Sequence, residues 1–332
     1  MSWFSNLTGI ETESPQSVHQ YLKLEGTTLV STINQRRFDV GTLTTPSLSD
    51  LRLGEMPNHG PVSVQELIAD AQTLHSLPAN AGATFQVASQ FNLLEMVGPT
   101  ITPEQGVGGY ENDLTQGPAC AIACGAGTIY RNYFVPVGDG KGQTASAQID
   151  CLKDIGKALN NDSNLYWVMR NGYALPTKDG LERLNATLSD MSETKKDSLR
   201  GRLRIGVHSD TEVTLQNAGH KVTQLYCSAM PVSYGSGPIS SWTEISKLVL
   251  DAAYEATLLA AIENAARTGN NRVFLTLLGG GAFGNKPEWI VDAILRAIRL
   301  VSRSGLDINL VSFGASNETA RTIVNRWTSN PS

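Results

Sequence analysis

The chain has 332 residues, of which 41% are hydrophobic and 17% are charged, and these proportions fit a globular protein with a sizeable core. The net charge is −5 and the Lys and Arg residues are scattered, so we expect no nucleic-acid partner, because binding to a phosphate backbone requires a basic surface. No apolar run is long enough to cross a bilayer, and the first residues lack the pattern of a signal peptide. We therefore expect a cytoplasmic protein without a membrane partner.

Four cysteines, Cys120, Cys124, Cys151 and Cys227, raise the question of a metal site. Cys120 and Cys124 are four residues apart, which places them on one face if their segment is helical. No nearby His completes a zinc spacing. We therefore expect small buried thiols in a reducing compartment, and neither a metal nor a cofactor.

Residues 1–78 are mixed in character, and we interpret them as an N-terminal extension packed on the core. Within this extension, Ser63 to Leu77 has the apolar spacing of an amphipathic helix. Ser63 and Glu66 are three residues apart, as in a capping box, and favour a helix start at this point.

A strand is predicted from Thr84 to Ser89, and a Gly- and Pro-rich loop follows it. Small residues from Ala119 to Phe134 predict a packed helix. Residues 145–203 carry mostly helical patterns, and we interpret them as an insertion into a domain of residues 79–318.

The C-terminal part alternates between strand and helix patterns. The predicted order is a strand at 221–229, a helix at 243–267, a strand at 272–278, a helix from about 286 and a strand at 307–313. This order predicts a largely parallel sheet covered by helices. Residues 319–332 are expected to form a C-terminal tail.

Three consecutive glycines, Gly279 to Gly281, lie between a predicted strand and a predicted helix. In an open α/β fold this edge of the sheet is where ligands bind, and amides without side chains can approach a phosphate closely. The helix start at about Lys286 would add the positive end of its dipole. The pattern favours an anionic ligand, and the alternative is a tight turn with a structural role only.

The letters GGGAFG also satisfy the G-x-G-x-x-G pattern, so NAD-dependent redox chemistry is a further alternative. However, the acid about twenty residues further on, Asp307, begins a strand and is badly placed for a ribose. A P-loop requires Gly-Lys-Ser/Thr, whereas the Lys here follows Asn285.

A second Gly-rich loop, EQGVGGYEND, follows the Thr84–Ser89 strand, and two such loops would bracket a ligand with two phosphates. Acids are frequent around it, at Glu95, Glu104, Glu111 and Asp113. Glu104 and Glu111, each taken alone, are compatible with solvated loop charges. Asp113 precedes the next predicted helix, so it is a candidate for catalysis or for an N-cap.

Taken as a set, these stretches resemble a macrodomain. The strings TFQVASQFN, GVGGYENDLTQGPACA and RVFLTLLGGGAFG correspond to an early strand, the catalytic loop and the loop over the diphosphate. The fuller string from ASQFNLLEM to GTIYRNYF resembles the MavL-type arginine-specific ADP-ribosylhydrolase macrodomains, and the likeness runs from about Arg37 to Phe313. The Gly-Gly-Gly plus paired-Glu pattern of poly(ADP-ribose) glycohydrolases is absent, so we do not expect polymer cutting in that style.

The resemblance implies a macrodomain-like three-layer α/β/α fold with a central mixed, largely parallel sheet, and it implies ADP-ribose as the ligand. The residues implied at the ligand are Gln90, Phe91, Asn92, Gly106, Gly108, Gly109, Tyr110, Thr115, Gln116, Gly279, Gly280, Gly281, Ala282, Phe283, Gly284 and Asn285. The residues from Gly279 to Gly284 would hold the diphosphate. Asp113 and Glu104 are the implied catalytic acids, with Glu95 as a further candidate.

The implied reaction is hydrolysis of the N-glycosidic bond between ADP-ribose and a protein arginine, through an oxocarbenium-like state that carboxylates stabilise. It requires no metal. We expect a monomer whose partners are ADP-ribose and an ADP-ribosylated protein. The alternatives are a reader that binds ADP-ribose without cutting it and an NAD-dependent oxidoreductase.

Overall fold

The computed structural model describes residues 2–329. Its helices are α1 (Trp3–Thr8), α2 (Pro15–Tyr21), α3 (Leu48–Leu51), α4 (Ala71–Ser76), α5 (Gln116–Ala123), α6 (Gly125–Tyr133), α7 (Lys153–Ala158), α8 (Lys178–Ser189), α9 (Glu193–Arg200), α10 (Thr243–Thr268), α11 (Pro287–Leu300) and α12 (Glu318–Ser329). Its strands are β1 (Leu22–Glu25), β2 (Thr28–Ser31), β3 (Arg37–Asp39), β4 (Thr42–Thr44), β5 (Ser63–Ile68), β6 (Thr84–Ala88), β7 (Pro136–Val137), β8 (Gly140–Lys141), β9 (Trp167–Arg170), β10 (Tyr173–Pro176), β11 (Gly206–Glu212), β12 (Lys221–Cys227), β13 (Arg272–Leu275) and β14 (Asp307–Ser312).

The centre of the fold is a seven-stranded sheet with the order β4-β11-β12-β6-β13-β14-β5. The five strands from β12 to β5 are parallel to their neighbours, whereas β11 pairs antiparallel with both β12 and β4. The predicted mixed, largely parallel sheet is therefore confirmed. Because five strands are parallel, their carboxyl ends meet at one edge.

Helices cover both faces of this sheet, as the central strand β6 shows. On one face, Gln86 donates a hydrogen bond of 2.9 Å to Thr257 in α10. On the other face, the ring of Phe85 stacks on His75 in α4, with ring centroids 3.7 Å apart. Successive side chains of a strand point to opposite faces, so α10 and α4 lie on opposite sides of the sheet. The predicted three-layer α/β/α architecture is confirmed.

The longest helix, α10, follows the sequence pattern closely. Apolar residues that recur at helical spacing along it are buried, at Ile245, Leu248, Val249, Ala252, Leu259 and Ile262. It ends at Gly269, whose φ of 78° is left-handed and whose N–H donates to the carbonyl of Ala265. Glycine adopts this conformation without a steric cost, and this fixes where the helix stops.

The helix predicted from Ser63 to Leu77 is wrong. Ser63 to Ile68 is strand β5, which pairs with β14 along its whole length, and only Ala71 to Ser76 is helical. Asp70 caps that short helix by accepting a hydrogen bond from the Thr73 N–H. Pairing with a strand about 240 residues away overrides the local capping pattern, because tertiary contacts outweigh propensity.

Residues before position 79 contribute to the fold in two ways. They supply β4 and β5, which are the two edge strands of the central sheet, so a boundary at residue 78 divides the sheet. They also form a separate small layer of α1, α2 and the sheet β1-β2-β3. Phe4, Leu7 and Val18 of this layer are buried together with Ile129 and Tyr133 of α6.

The region 145–203 is only partly helical. Helices α7, α8 and α9 are present, but β9 and β10 form a hairpin between them. Asn171 and Gly172 make its turn with φ values of 47° and 78°, as a two-residue hairpin turn requires. The sequence favours a core position for Tyr166 and Trp167 over a position on a contact surface, and both residues are buried.

The four cysteines are buried free thiols. Residues 2–329 contain no group of three or more His, Cys, Asp or Glu side chains arranged to hold a metal ion. None of the helices in the same range combines the length and the apolar character needed to cross a membrane.

Candidate functional site at the carboxyl edge of the sheet

A cavity of about 830 Å³ lies at the carboxyl edge of the parallel strands. Residues that follow each of the five strands line it: Ala69 and Asp70 after β5, Ser89 and Gln90 after β6, Ala229 after β12, Thr276 to Gly279 after β13, and Phe313 after β14. This is where ligands bind in open α/β sheets. We call it the sheet-edge cavity.

The loop from Gly279 to Asn285, here the glycine loop, forms one wall of the sheet-edge cavity. Gly279, Gly281, Ala282 and Phe283 line it. The backbone N–H groups of these four residues find no acceptor among residues 2–329. Unpaired amides on a cavity wall are donors that an anion can use.

Other members of the glycine loop hold its shape and do not line the cavity. The N–H groups of Gly280, Gly284 and Asn285 are used within the loop, donating to Leu277, Gly281 and Gly279 carbonyls at 2.8–3.0 Å. The Asn285 side chain donates to the Met230 carbonyl at 2.8 Å. The structure thus does not place Gly280, Gly284 and Asn285 on the cavity wall, and the ligand contact predicted for them stays a prediction.

Close packing explains why Gly279 and Gly284 are glycines. Both have left-handed φ values, 71° and 69°. A Cβ at Gly279 would lie 2.5 Å from the Asn285 side-chain nitrogen, and a Cβ at Gly284 would collide with Ser233. Gly281 differs, because a Cβ there would meet nothing within 4 Å. Only at Gly281 does the lack of a side chain leave free space beside the cavity.

Helix α5, and not α11, points its N-terminus at the cavity. Lys286, the N-cap of α11, is not on the cavity wall, and the contribution of that helix dipole stays a prediction. Thr115 and Gln116 at the start of α5 do line the cavity. The Gln116 side chain is fixed to β6, because it accepts from the Ala88 N–H at 2.9 Å and donates to the Gln86 carbonyl at 2.8 Å.

Glu95 is the most deeply buried acid of the cavity wall. Its exposed fraction is 2%, and its N–H donates to the Tyr110 hydroxyl at 3.0 Å. Burial raises the pKa of the Glu95 carboxyl to about 7, against the opposing charge of Arg131. A carboxyl with this pKa can hold or release a proton near neutral pH, as a general acid or base requires.

Asp113 lies on the same cavity wall and is half-buried. One of its carboxylate oxygens accepts a hydrogen bond of 2.9 Å from the Thr115 N–H. Thr115 occupies the N-cap position of α5, so Asp113 is not the N-cap residue that the sequence offered as one alternative. Its side chain stabilises the turn before the helix and also faces the cavity.

Glu104, which was expected as a catalytic acid together with Asp113, is not brought to the cavity with it. Glu104 is exposed and does not line the cavity. Its carboxylate accepts from the Ala145 N–H at 2.8 Å and so holds the start of the 145–203 region. The acid that joins Glu95 and Asp113 at the cavity is Glu111, which accepts from the Trp3 N–H at 3.0 Å.

The glycines of the second Gly-rich loop, Gly106, Gly108 and Gly109, do not line the cavity. Instead, the carboxylate of Glu13 accepts hydrogen bonds from the N–H groups of Val107, at 2.8 Å, and Gly108, at 2.6 Å. The anion that these amides hold is therefore the protein's own. The structure does not bring these glycines to the cavity beside the glycine loop, whereas Tyr110, Glu111 and Asp113 of the same loop do line it.

The polar side chains after β6 form hydrogen bonds within the protein. Gln90 lines the cavity, but its side-chain amide exchanges two hydrogen bonds with the backbone of Met96, at 2.9 and 3.2 Å. Phe91 and Asn92 are buried and do not line it. Asn92 donates to Gln148 at 2.9 Å and accepts from the Leu94 N–H at 3.1 Å. The structure therefore does not bring Phe91 and Asn92 to the cavity, and their ligand contacts stay a prediction.

Three aromatic rings meet at the cavity beside the glycine loop. The ring centroids of Tyr173, Tyr234 and Phe283 are 5.1–5.7 Å apart. The Tyr173 hydroxyl donates to the Met96 carbonyl at 2.7 Å. Sequence reasoning placed Phe283 here but missed both tyrosines, although the Asn171–Gly172 hairpin signal could have placed Tyr173 at the start of a strand.

The charged side chains that line the cavity, among the described residues, are all acidic. Its lining includes the carboxylates of Asp70, Glu95, Glu111 and Asp113. No Lys, Arg or His from residues 2–329 is part of the lining. An anion would thus meet neutral donors, such as the unpaired amides of the glycine loop, while the acids favour a cationic group close by.

No protein-family model matches the chain, and no curated protein does so either. Solved structures that resemble it include poly(ADP-ribose) glycohydrolase from Thermomonospora curvata, at 14% identity, with a TM-score of 0.44, covering 94% of this chain and 96% of that chain. The same enzyme bound to the inhibitor ADP-HPD gives 15% identity, a TM-score of 0.42 and the same coverage. The enzyme from Deinococcus radiodurans in complex with ADP-ribose gives 12% identity and a TM-score of 0.41, covering 87% of this chain and 94% of that chain. These values are too low to assign an activity, so the function is inferred from the residues of the cavity.

Proposed function

We propose that this chain binds ADP-ribose in the sheet-edge cavity and hydrolyses the bond between its distal ribose and an arginine side chain of a protein. The observation that carries the proposal is the pairing of two features on one cavity. Four unpaired amides of the glycine loop can receive a diphosphate, and the carboxyl groups of Glu95 and Asp113 lie on the wall of the same cavity. Residues 79–318 would hold the ligand, together with Ala69 and Asp70, which follow β5, and the aromatic Trp3.

The proposed chemistry follows from the two carboxyl groups. Cleavage at the anomeric carbon builds positive charge on the ribose, and an ionised Asp113 would stabilise it. Glu95 would exchange the proton, because its pKa of about 7 lets it act at neutral pH. Water supplies the hydroxyl on the anomeric carbon, and the guanidine leaves as a guanidinium.

The acidic lining of the cavity supports arginine as the modified residue. A guanidinium is a cation and would be attracted by the carboxylates of Glu111 and Asp113, whereas a carboxylate leaving from modified Glu or Asp would be repelled. The planar guanidinium also suits the aromatic rings of Tyr173 and Tyr234.

A reader that binds ADP-ribose without turnover is the second candidate. It is favoured by the position of Glu104, which was expected as a second catalytic acid and instead lies outside the cavity. The proposed reaction therefore depends on Glu95 and Asp113.

Calorimetry with ADP-ribose, combined with a release assay on ADP-ribosylated arginine peptides, tests the proposal. Gly281→Ala adds a methyl group into free space beside the cavity, so the fold should be kept while affinity for ADP-ribose falls about tenfold or more. Gly109→Ala is the matched control, since its Cβ also meets nothing within 4 Å but lies away from the cavity.

Equal affinities of the two glycine variants would contradict binding at this loop. Binding without release of ADP-ribose would support the reader. Release from modified glutamate at the same rate as from modified arginine would overturn the proposed specificity.

A further inference from the structure

Arg131 of α6 is a fully buried guanidinium that the proposed chemistry has not used. Three contacts besides the one with Glu95 hold this guanidinium in place. Its Nε donates to the Leu93 carbonyl at 3.0 Å, and its Nη2 donates to the Thr128 hydroxyl at 3.2 Å. The guanidinium carbon lies 3.7 Å from the centre of the Tyr226 ring, a cation–π contact.

The Arg131 guanidinium approaches Glu95 from the side of the core. Its Nη2 lies 3.4 Å from each of the two carboxylate oxygens. Charge-assisted bonds of this type are usually about 2.7–2.9 Å long, so this pair is close enough to interact by charge but lacks short hydrogen bonds. The carboxyl oxygens are therefore not locked to Arg131 and stay available at the cavity.

On the cavity side, Glu95 shares the wall with the acids Asp70, Glu111 and Asp113, whereas the buried tyrosine, cysteine and histidine groups on the core side of the pair are neutral at pH 7. Burial raises the pKa values of Tyr110, Tyr226 and Cys120, all of which lie near Glu95. Burial also lowers the pKa of His208, near Arg131, to about 3, so it is neutral as well. The charge that acts on Glu95 from the core side is that of Arg131.

We propose that Arg131 is a positioning residue for Glu95. Its charge acts from the core side and holds the Glu95 carboxyl at the cavity wall, and both carboxyl oxygens stay free to interact with the ligand. This inference takes its chemical meaning from the proposed function, but the geometry of the pair can be tested without it. Loss of the charge would remove the largest effect that opposes burial and keep Glu95 protonated to higher pH.

Infrared titration of the Glu95 carboxyl is the direct test, with Glu95→Gln used to identify its band. In the natural chain the band should titrate near pH 7. In Arg131→Met the midpoint should rise by about 1 to 3 units, the usual effect of removing a close opposite charge. An unchanged midpoint in folded Arg131→Met would overturn the proposal.

Arg131→Gln covers the case in which Arg131→Met does not fold, as judged by circular dichroism. Its side-chain amide can donate to the Leu93 carbonyl but carries no charge, so the midpoint should again rise. A midpoint equal to that of the natural chain would count against the proposal.

The release assay separates this inference from the proposed function. In the Arg131 variants, the part of the pH profile of kcat/KM that reflects the ionisation of Glu95 should move to higher pH together with the infrared midpoint. If the natural chain releases no ADP-ribose at all, the proposed reaction fails, while the infrared titration still decides the role of Arg131.

Discussion

The carboxylate of Glu13 and the backbone N–H of Gly108 are joined by a hydrogen bond of 2.6 Å across 95 residues of chain. Two more donors meet the same carboxylate, the Val107 N–H and the Tyr133 hydroxyl, both at 2.8 Å. Cβ atoms at Gly106 and Gly108 would collide with it. The N-terminal segment thus fixes the loop that carries Tyr110, and Tyr110 in turn accepts from the Glu95 N–H.

Glu13→Gln should loosen this loop. The amide has one oxygen where the carboxylate has two, so at least one backbone N–H loses its acceptor, and we expect destabilisation by about 1–3 kcal/mol. Denaturant unfolding at pH 7 measures it, together with hydrogen exchange at the Val107 and Gly108 amides, which should become faster. Glu11→Gln, an exposed neighbour, is the control and should change neither. Unaltered exchange at both amides in Glu13→Gln would show that the carboxylate does not hold the loop.

Asp113→Asn should lower the release of ADP-ribose from modified arginine by about a hundredfold or more, because the neutral amide cannot stabilise positive charge on the ribose. The side-chain oxygen that accepts from the Thr115 N–H is kept, so stability should hardly change. Steady-state rates on an ADP-ribosylated arginine peptide give the answer. Glu104→Gln is the matched control and should retain its rate, since Glu104 is outside the cavity. A normal rate for Asp113→Asn would remove Asp113 from the mechanism.

The pH dependence of stability should report the Glu95 carboxyl. Its pKa is about 7 in the folded chain, against an ordinary value of 4.5, so folding favours the protonated form. The stabilisation is fully present below pH 4.5 and is lost as the pH rises through 7. At 1.36 kcal/mol per unit, the loss is on the order of 3 kcal/mol.

Glu95→Gln removes this titration, so its free energy of unfolding should fall less between pH 5 and 8 than that of the natural chain. Urea unfolding at several pH values measures the difference. Parallel curves for the two proteins would mean that the carboxyl titrates as it does in the unfolded chain.

Arg52 ties the 145–203 region to the rest of the fold. It bonds to Glu255 in α10 at 2.6 Å and to Asp197 in α9 at 2.9 Å, and Glu255 is only 5% exposed. Arg52→Ala leaves Glu255 with Arg296 alone, so we expect destabilisation by about 1–3 kcal/mol. The exposed pair Arg37–Glu25 supplies the control, and Arg37→Ala should change stability by less than about 0.5 kcal/mol. Equal effects in chemical denaturation would show that burial of Glu255 does not matter.

The elements that the sequence predicts well are those whose determinants are local. The apolar face of α10 repeats at helical spacing, and the strand–glycine–helix order around Gly279 is sufficient to place the glycine loop at the sheet edge. Asp113 and Glu95 reach the cavity because each follows closely on an element that ends there. The Asn171–Gly172 turn was equally local, yet the surrounding helical patterns concealed it.

The errors concern residues whose partners are far away in the chain. Ser63 to Ile68 becomes a strand because β14 lies beside it, and no local window contains that strand. Glu13 fills the second glycine loop from about 95 residues away. Glu104 turns outward to the Ala145 N–H. A Gly-rich loop that holds a ligand and one that holds a carboxylate of the same chain have the same local sequence signature, since both need amides without side chains in the way.

A cavity that would hold an anion by neutral donors while carboxylates line its wall has an unusual kinetic character. Most proteins that take up phosphorylated molecules draw them in with a positive field, and added salt slows the encounter. The acids of this lining repel an anion, so dissolved ions would weaken the repulsion and the encounter would become faster as the salt concentration rises.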